Sequence, residues 1–272
     1  MPLVDLMSVT TINKDDYSWL RCTIPHDSES FRSAARELAG LILRLRCGTA
    51  RAHDVWMAAV EDGYTPTKDE KSLLAAFVRP GFGTPIQPLP DDHVEGMAAE
   101  YLWYFVSLEQ AAHQGLDVAR IEAPSPSPST SGGDGLIILR EGDQHSFCLW
   151  EIKKSTGVAP VSSSVNRAYG QLQDKALEYL ARYIGPASMG AAGDDALLAA
   201  IGTMVDDWIS GSPRAGAGVA VATSVAKAPS RCFSTFPAHF PHLAPRLTGT
   251  VYAIGDFQGY ALAVRNLLWT GL

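Results

Sequence analysis

Residues 135–153 constrain the fold more than any other part of the chain. Two apolar, β-branched runs, 135–140 and 146–153, are separated by Glu141-Gly142-Asp143-Gln144, a turn sequence short enough to fold them back as a hairpin. Side chains on a strand alternate between faces, so Glu151 and Lys153 project together with Phe147 and Leu149, and Cys148, Trp150 and Ile152 point the other way. Helical patterns flank the hairpin. Asp91 and Asp92 cap a helix reaching about His113, with an apolar stripe of Val94, Met97, Ala98, Tyr101, Phe105 and Leu108. From about Asn166 to Ile184, Leu172, Ala176, Leu177, Leu180 and Tyr183 keep helical spacing. Residues 194–209 read as a further helix, 218–223 and 250–256 as strands, and 260–269 as a closing helix. The order α-β-β-α-(α)-β-β-α predicts an α/β fold, a mixed central sheet flanked by helices.

The first 90 residues read as an N-terminal accessory region attached to a domain spanning 91–272. Residues 29–45 carry a helical pattern (Phe31, Ala35, Leu38, Ala39, Ile42) with Asp27 and Ser28 as caps, and 67–77 read as a short helix after Pro66. The Pro- and Gly-rich run from Arg79 to Pro90 reads as a linker. Residues 123–133, rich in Pro and Ser, form a loop whose composition favours mobility. There is no internal repeat.

Composition narrows the function. Of 272 residues, 46% are hydrophobic and 19% charged, which excludes a disordered or fibrous chain. Twenty-two basic against 29 acidic side chains leave a net charge of −7, so a generally basic nucleic-acid binder is excluded while a local basic groove is not. The apolar stretches are too short to span a membrane, and the N-terminus lacks the basic and apolar regions of a secretory signal. Cys22, Cys47, Cys148 and Cys232 are scattered without a CxxC pair, pointing to reduced thiols in a cytoplasm rather than to zinc. The seven histidines show no metal-ligand spacing, and neither a Gly-x-Ser-x-Gly nor a Gly-Lys-Ser/Thr motif occurs.

The chemistry concentrates at the hairpin. Asp134 follows Gly132-Gly133 at the mouth of the first strand, and Glu151 and Lys153 lie at the end of the second. If Asp134 stands beside Glu151, two carboxylates and one ammonium converge, an arrangement that destabilises the fold unless a cation relieves it. Mg²⁺, held by one or two carboxylates, waters and substrate phosphate oxygens, resolves the conflict.

Asp134 followed by Glu151-Ile152-Lys153 across a hairpin resembles the PD-(D/E)XK, or restriction-endonuclease-like, nuclease superfamily. The resemblance covers about 91–256. It implies a metal-dependent nuclease acting on DNA with Mg²⁺ (Mn²⁺ substituting), in which Asp134 and Glu151 hold the ion, the Ile152 carbonyl assists and Lys153 serves the attacking water. It further implies a metal-shell glutamate on the preceding helix, Glu100 or else Glu95, and a glutamine early in the following helix, Gln171 or else Gln173. Lys154, Arg167 and Lys175 are candidates to line a groove for the phosphate backbone. Arg32 and Arg36 share a helix face in a locally basic N-terminal region that also holds Arg44, Arg46 and Arg51. Two departures stand out: Gly133 replaces the proline expected before the first acid, and the next core strand waits until 218. The narrower resemblance is to nucleases of bacterial antiviral defence, which implies a helicase or another defence subunit as partner. The rivals are a nuclease-like binding or sensor module without catalysis, and an α/β protein acting only through protein contacts.

Overall fold

The computed structural model describes the chain except residues 26–28, 127–133, 156 and 158–159. The caps Asp27 and Ser28, Gly132-Gly133 and most of the Pro/Ser loop lie outside the described residues. A single seven-stranded sheet has the order β1-β2-β7-β6-β5-β4-β3. Its strands are β1 (Ser8–Asn13), β2 (Ser18–Ile24), β3 (Asp117–Ile121), β4 (Gly135–Glu141), β5 (Gln144–Ser155), β6 (Ala215–Thr223) and β7 (Leu247–Ile254). The inner strands β2, β7, β6 and β5 run parallel to one another, while β1 pairs antiparallel with β2, β4 with β5, and β3 with β4. The fold is therefore α/β with a mixed, helix-flanked sheet, as the sequence predicts.

Local chemistry explains the inner strands. β6, Ala-Gly-Ala-Gly-Val-Ala-Val-Ala-Thr, is buried along its whole length, and a central parallel strand covered on both faces carries such a continuous small and apolar run. Gly218 is required there: a Cβ on it would come within 2.2 Å of the Trp150 ring. Trp150 in turn packs on Trp103 with ring centroids 5.6 Å apart.

Helices cover both faces. Trp150, Ile152, Tyr252 and Ile254 face a core shared with α1 (Glu29–Cys47), α4 (Asp91–His113) and α9 (Phe257–Leu268). Phe147, Leu149, Val219 and Val251 face the other core, under α5 (Val161–Gly190), α6 (Asp195–Gly202) and α7 (Met204–Ser210). Residues 1–90 belong to the same body: β2 extends the sheet beside β7, and α1 packs on α9. That region also holds α2 (Ala52–Glu61) and α3 (Lys68–Phe82), the latter opened by a Thr67/Glu70 capping box.

Several boundaries differ from the sequence reading. α3 runs through Pro80 where a linker is expected, because its last turn is buried through Val78, Gly81 and Phe82. α5 extends past the expected 166–184 in both directions and contains Pro186. The helix expected over 194–209 is two, α6 and α7, meeting at Thr203. A short helix, α8 (Phe236–His239), precedes β7. Among the described residues no helix is long and apolar enough to cross a membrane, and all four cysteines are free.

Candidate active site

The hairpin register assembles the site. Gly135 pairs with Trp150 in the antiparallel β4–β5 ladder, so one further step sets Asp134 against Glu151. Asp134 is fixed there by the backbone: the Ile152 N–H donates to its Oδ2 at 2.7 Å. The N–H and C=O of a strand residue leave the chain on the same side, so the Ile152 carbonyl is also directed toward Asp134. The Lys153 ammonium donates to Glu151 Oε1, with the Glu151 side chain wholly buried and that of Lys153 only 17% exposed. Glu151 Oε2 is buried and accepts no hydrogen bond.

Glu100 enters from α4. Its carboxyl is pushed up to about 8, first by burial and then by the charge of Asp134, with Lys153 opposing. Glu151 is pushed up to about 9 by burial and by Asp134, again against Lys153. Asp134 is raised by burial too, with Lys153 and the Ile152 N–H pulling it down. Three acids therefore share one ammonium in a recess that buries Glu151 fully and Asp134 and Glu100 in part, and like charges at such range hold one another's protons.

α5 roofs this recess. Gln171 donates to the Tyr179 hydroxyl at 2.7 Å. The Tyr179 phenol is raised by burial, with the charges of Glu151 and Asp134 adding to it. Tyr183 is likewise raised by burial and then by Asp134, Glu100, Glu122 and Glu151. The sequence reading treats Tyr183 only as part of a core stripe and passes over Tyr179. Their four-residue spacing on the helix after the Glu-Ile-Lys strand is the available signal.

Of the residues singled out from the sequence, Asp134, Glu151, Ile152, Lys153 and Glu100 come together, and Gln171 reaches the rim through Tyr179. Gln173 does not: it is held by His239, donating to its carbonyl and meeting its ring at 3.0 Å each. Glu95 and Lys154 pair with each other at 2.8 Å on the opposite face of β5. Lys154 also binds Asp92, so the expectation that it lines a phosphate groove with Arg167 and Lys175 is corrected: strand alternation turns it toward α4, away from the face of Glu151. Arg167 and Lys175 are exposed on α5, four residues to either side of Gln171, and so share its flank. Among the N-terminal arginines, Arg36 pairs with Glu61 at 3.1 Å and Arg51 with Glu70 at 3.1 Å. Arg46 turns inward to Tyr101, 2.8 Å from its hydroxyl.

The donors suit a hard divalent ion. Carboxylates and a carbonyl are its preferred ligands, and both the surplus negative charge and the orphaned Glu151 Oε2 are features that such an ion would satisfy. Among the described residues, no three His, Cys, Asp or Glu side chains already stand in an arrangement that holds a metal. No family model matches the chain, and neither does any curated protein.

Proposed function

We propose that this chain is a metal-dependent nuclease of the PD-(D/E)XK type that hydrolyses DNA phosphodiester bonds. The observation that carries the reading is the placement of Asp134 against Glu151 across the β4–β5 ladder, with Lys153 bonded to the buried Glu151 and half-buried Glu100 beside them. Isolated buried acids are expensive for a fold, and their concentration at one strand end is the signature of a functional site.

Asp134, Glu151 and the Ile152 carbonyl are the groups that would hold Mg²⁺, or Mn²⁺ in its place, with Glu100 as a further carboxylate. The bound ion supplies a Lewis acid for the phosphate and lowers the pKa of a water. Lys153 carries three N–H donors, enough to keep its bond to Glu151 while steadying charge on a phosphoryl oxygen. Asp134 is held in place by the Ile152 N–H, so it needs no reorganisation when substrate arrives. Arg167 and Lys175, on the exposed flank of α5, suit contacts to the DNA backbone that fix position without reading bases. Bacterial antiviral defence, with a helicase or other defence subunit delivering DNA in the cytoplasm, is the setting this reading favours.

The test is cleavage of linear and circular DNA with Mg²⁺, with Mn²⁺ and with EDTA. Cutting should require the metal and fall by about 100-fold or more in Glu151→Ala and Lys153→Ala. Wild-type cutting by these variants, once circular dichroism shows them folded, overturns the proposal. DNA binding with no metal-dependent cutting assigns the chain instead to the non-catalytic module.

A further inference from the structure

We propose that Arg120 binds a substrate phosphate next to the scissile one, and that a β-bulge in the edge strand β3 puts it there. The proposal rests on the nuclease reading and extends that site to the β3 side.

The β3–β4 ladder is irregular. Val118 stands opposite Leu139 and Arg120 opposite Ile138, so Ala119 is an extra residue in β3. In an unbroken ladder Arg120 would face Ile137, which packs on the α4 side of the sheet. The bulge instead turns Arg120 and Glu122 onto the face of Ile138 and Leu136, the face that Asp134 and Glu151 share. Re-aiming a side chain beside an active site is a recurrent use of such bulges. The Glu122 N–H donates to the Leu136 carbonyl at 2.9 Å, which carries the ladder one step further. Asp134 is then the diagonal neighbour of Glu122, about 7–8 Å away.

Arg120 is anchored without being used up. Its Nε donates to Glu122, and its Nη2 donates to the Pro186 carbonyl of α5 at 3.1 Å. α5 carries glycine where the guanidinium passes, since a Cβ on Gly190 would lie 1.8 Å from Nη1. Among the described residues Nη1 makes no hydrogen bond, and the side chain is 21% exposed. A guanidinium holds five N–H groups in a rigid fork, so two bonds fix its plane and leave donors for an anion.

The course of α5 says which anion. The helix crosses this face from the α8 side, where Tyr169 stacks on Phe236, to β3, where it meets Arg120. Tyr179 and Tyr183 lie between those points. Arg167 and Lys175 are therefore on one side of the acids and Arg120 is on the other. Asp134, Glu151, Glu100 and Glu122 outnumber the cations beside them, and Lys153 is bound to Glu151. A polyanion drawn across that negative charge needs a cation on each side of the metal. Arg120 supplies the second, a contact that positions the strand without reading its bases.

The experiment is a cycle between Arg120 and single phosphates. Methylphosphonate linkages, each removing one negative charge, are placed one at a time along a short DNA duplex with a single-stranded tail. Binding in Mg²⁺ is read by fluorescence anisotropy for Glu151→Gln protein and for the same protein carrying Arg120→Gln, so that cleavage has no bearing on it. At one or two adjacent linkages the neutral group should weaken binding severalfold in the first protein and leave the second unaffected. The slope of log Kd against log salt should be shallower in the second by about 0.7–0.9. A residue that only clips β3 to α5 would weaken binding to every substrate alike and show neither effect. Arg120→Lys, which keeps the ion pair with Glu122 but not the fork, should reduce the same coupling and stands in where Arg120→Gln does not fold. The proposal is overturned if no linkage is coupled to Arg120, or if the salt slope is unchanged in folded Arg120→Gln protein. Failure of the nuclease reading shows differently: wild type leaves DNA uncut in Mg²⁺ and Mn²⁺, whatever the cycle gives.

Discussion

Replacing Glu151 by glutamine should make the metal-free protein more stable. Glu151 ionises near 4.5 in an unfolded chain and at about 9 in the folded one. Because the folded value lies above the unfolded value, the native state is favoured below pH 4.5 and gives up stability as pH climbs toward 9. The cost accumulates at roughly 1.4 kcal/mol per pH unit, so by pH 7 it reaches about 3 kcal/mol. Glutamine removes the titration yet keeps an oxygen for Lys153 and can donate its amide N–H to Asp134. In a chain of this size a gain of about 3 kcal/mol raises Tm by roughly 6–10 °C. The assay is thermal unfolding in EDTA from pH 5 to pH 8.5. Wild type should lose Tm steadily with pH, Glu151→Gln should show a shallower fall, and the two curves should diverge as pH rises. Mg²⁺ should recover stability in wild type and little in the variant, since a ligand that binds only the native state stabilises it. A variant less stable than wild type at pH 7, or one with an unchanged pH slope, refutes the reasoning.

Three other substitutions probe the frame around the site. Lys154→Met takes the ammonium from buried Glu95 and should cost about 2 kcal/mol in urea unfolding while leaving metal affinity intact. Gly218→Ala drives a methyl group into the Trp150 ring and should cost about 2–3 kcal/mol, read as a lower urea midpoint at constant m-value. Arg46→Met removes bonds to the Tyr101 hydroxyl and to the Phe77 and Pro126 carbonyls, and should lower stability by about 2 kcal/mol without changing the pH slope described above.

The site was legible where it depends on neighbours in sequence. The turn between 141 and 144 fixes the ladder, and strand alternation then fixes which residues share the face of Glu151. The same alternation already separates Lys154 from Lys153; the groove assignment overlooked it. Glu95 and Glu100 could be told apart only in part, because five residues of helix place them on different flanks without saying which flank meets the hairpin. What was not legible is non-local. β2 finds its partner β7 more than two hundred residues away, and nothing in Ser-Trp-Leu-Arg-Cys-Thr-Ile announces that pairing. Hence the first 90 residues read as an attachment although they complete the sheet. β1 and β3 are short, partly exposed edge strands whose residues carry little periodic signal.

The neighbouring lysines of β5 have a consequence for how the strand is threaded. A slip of one residue would exchange them, sending Lys153 toward α4 and Glu151 into an apolar layer. The cost of that slipped state falls on the apolar residues of the strand, because Trp150 and Ile152 would leave the core they fill as Glu151 entered it. The packing of Trp150 and Ile152 thus acts as a phase lock, keeping each lysine on the side where it is needed.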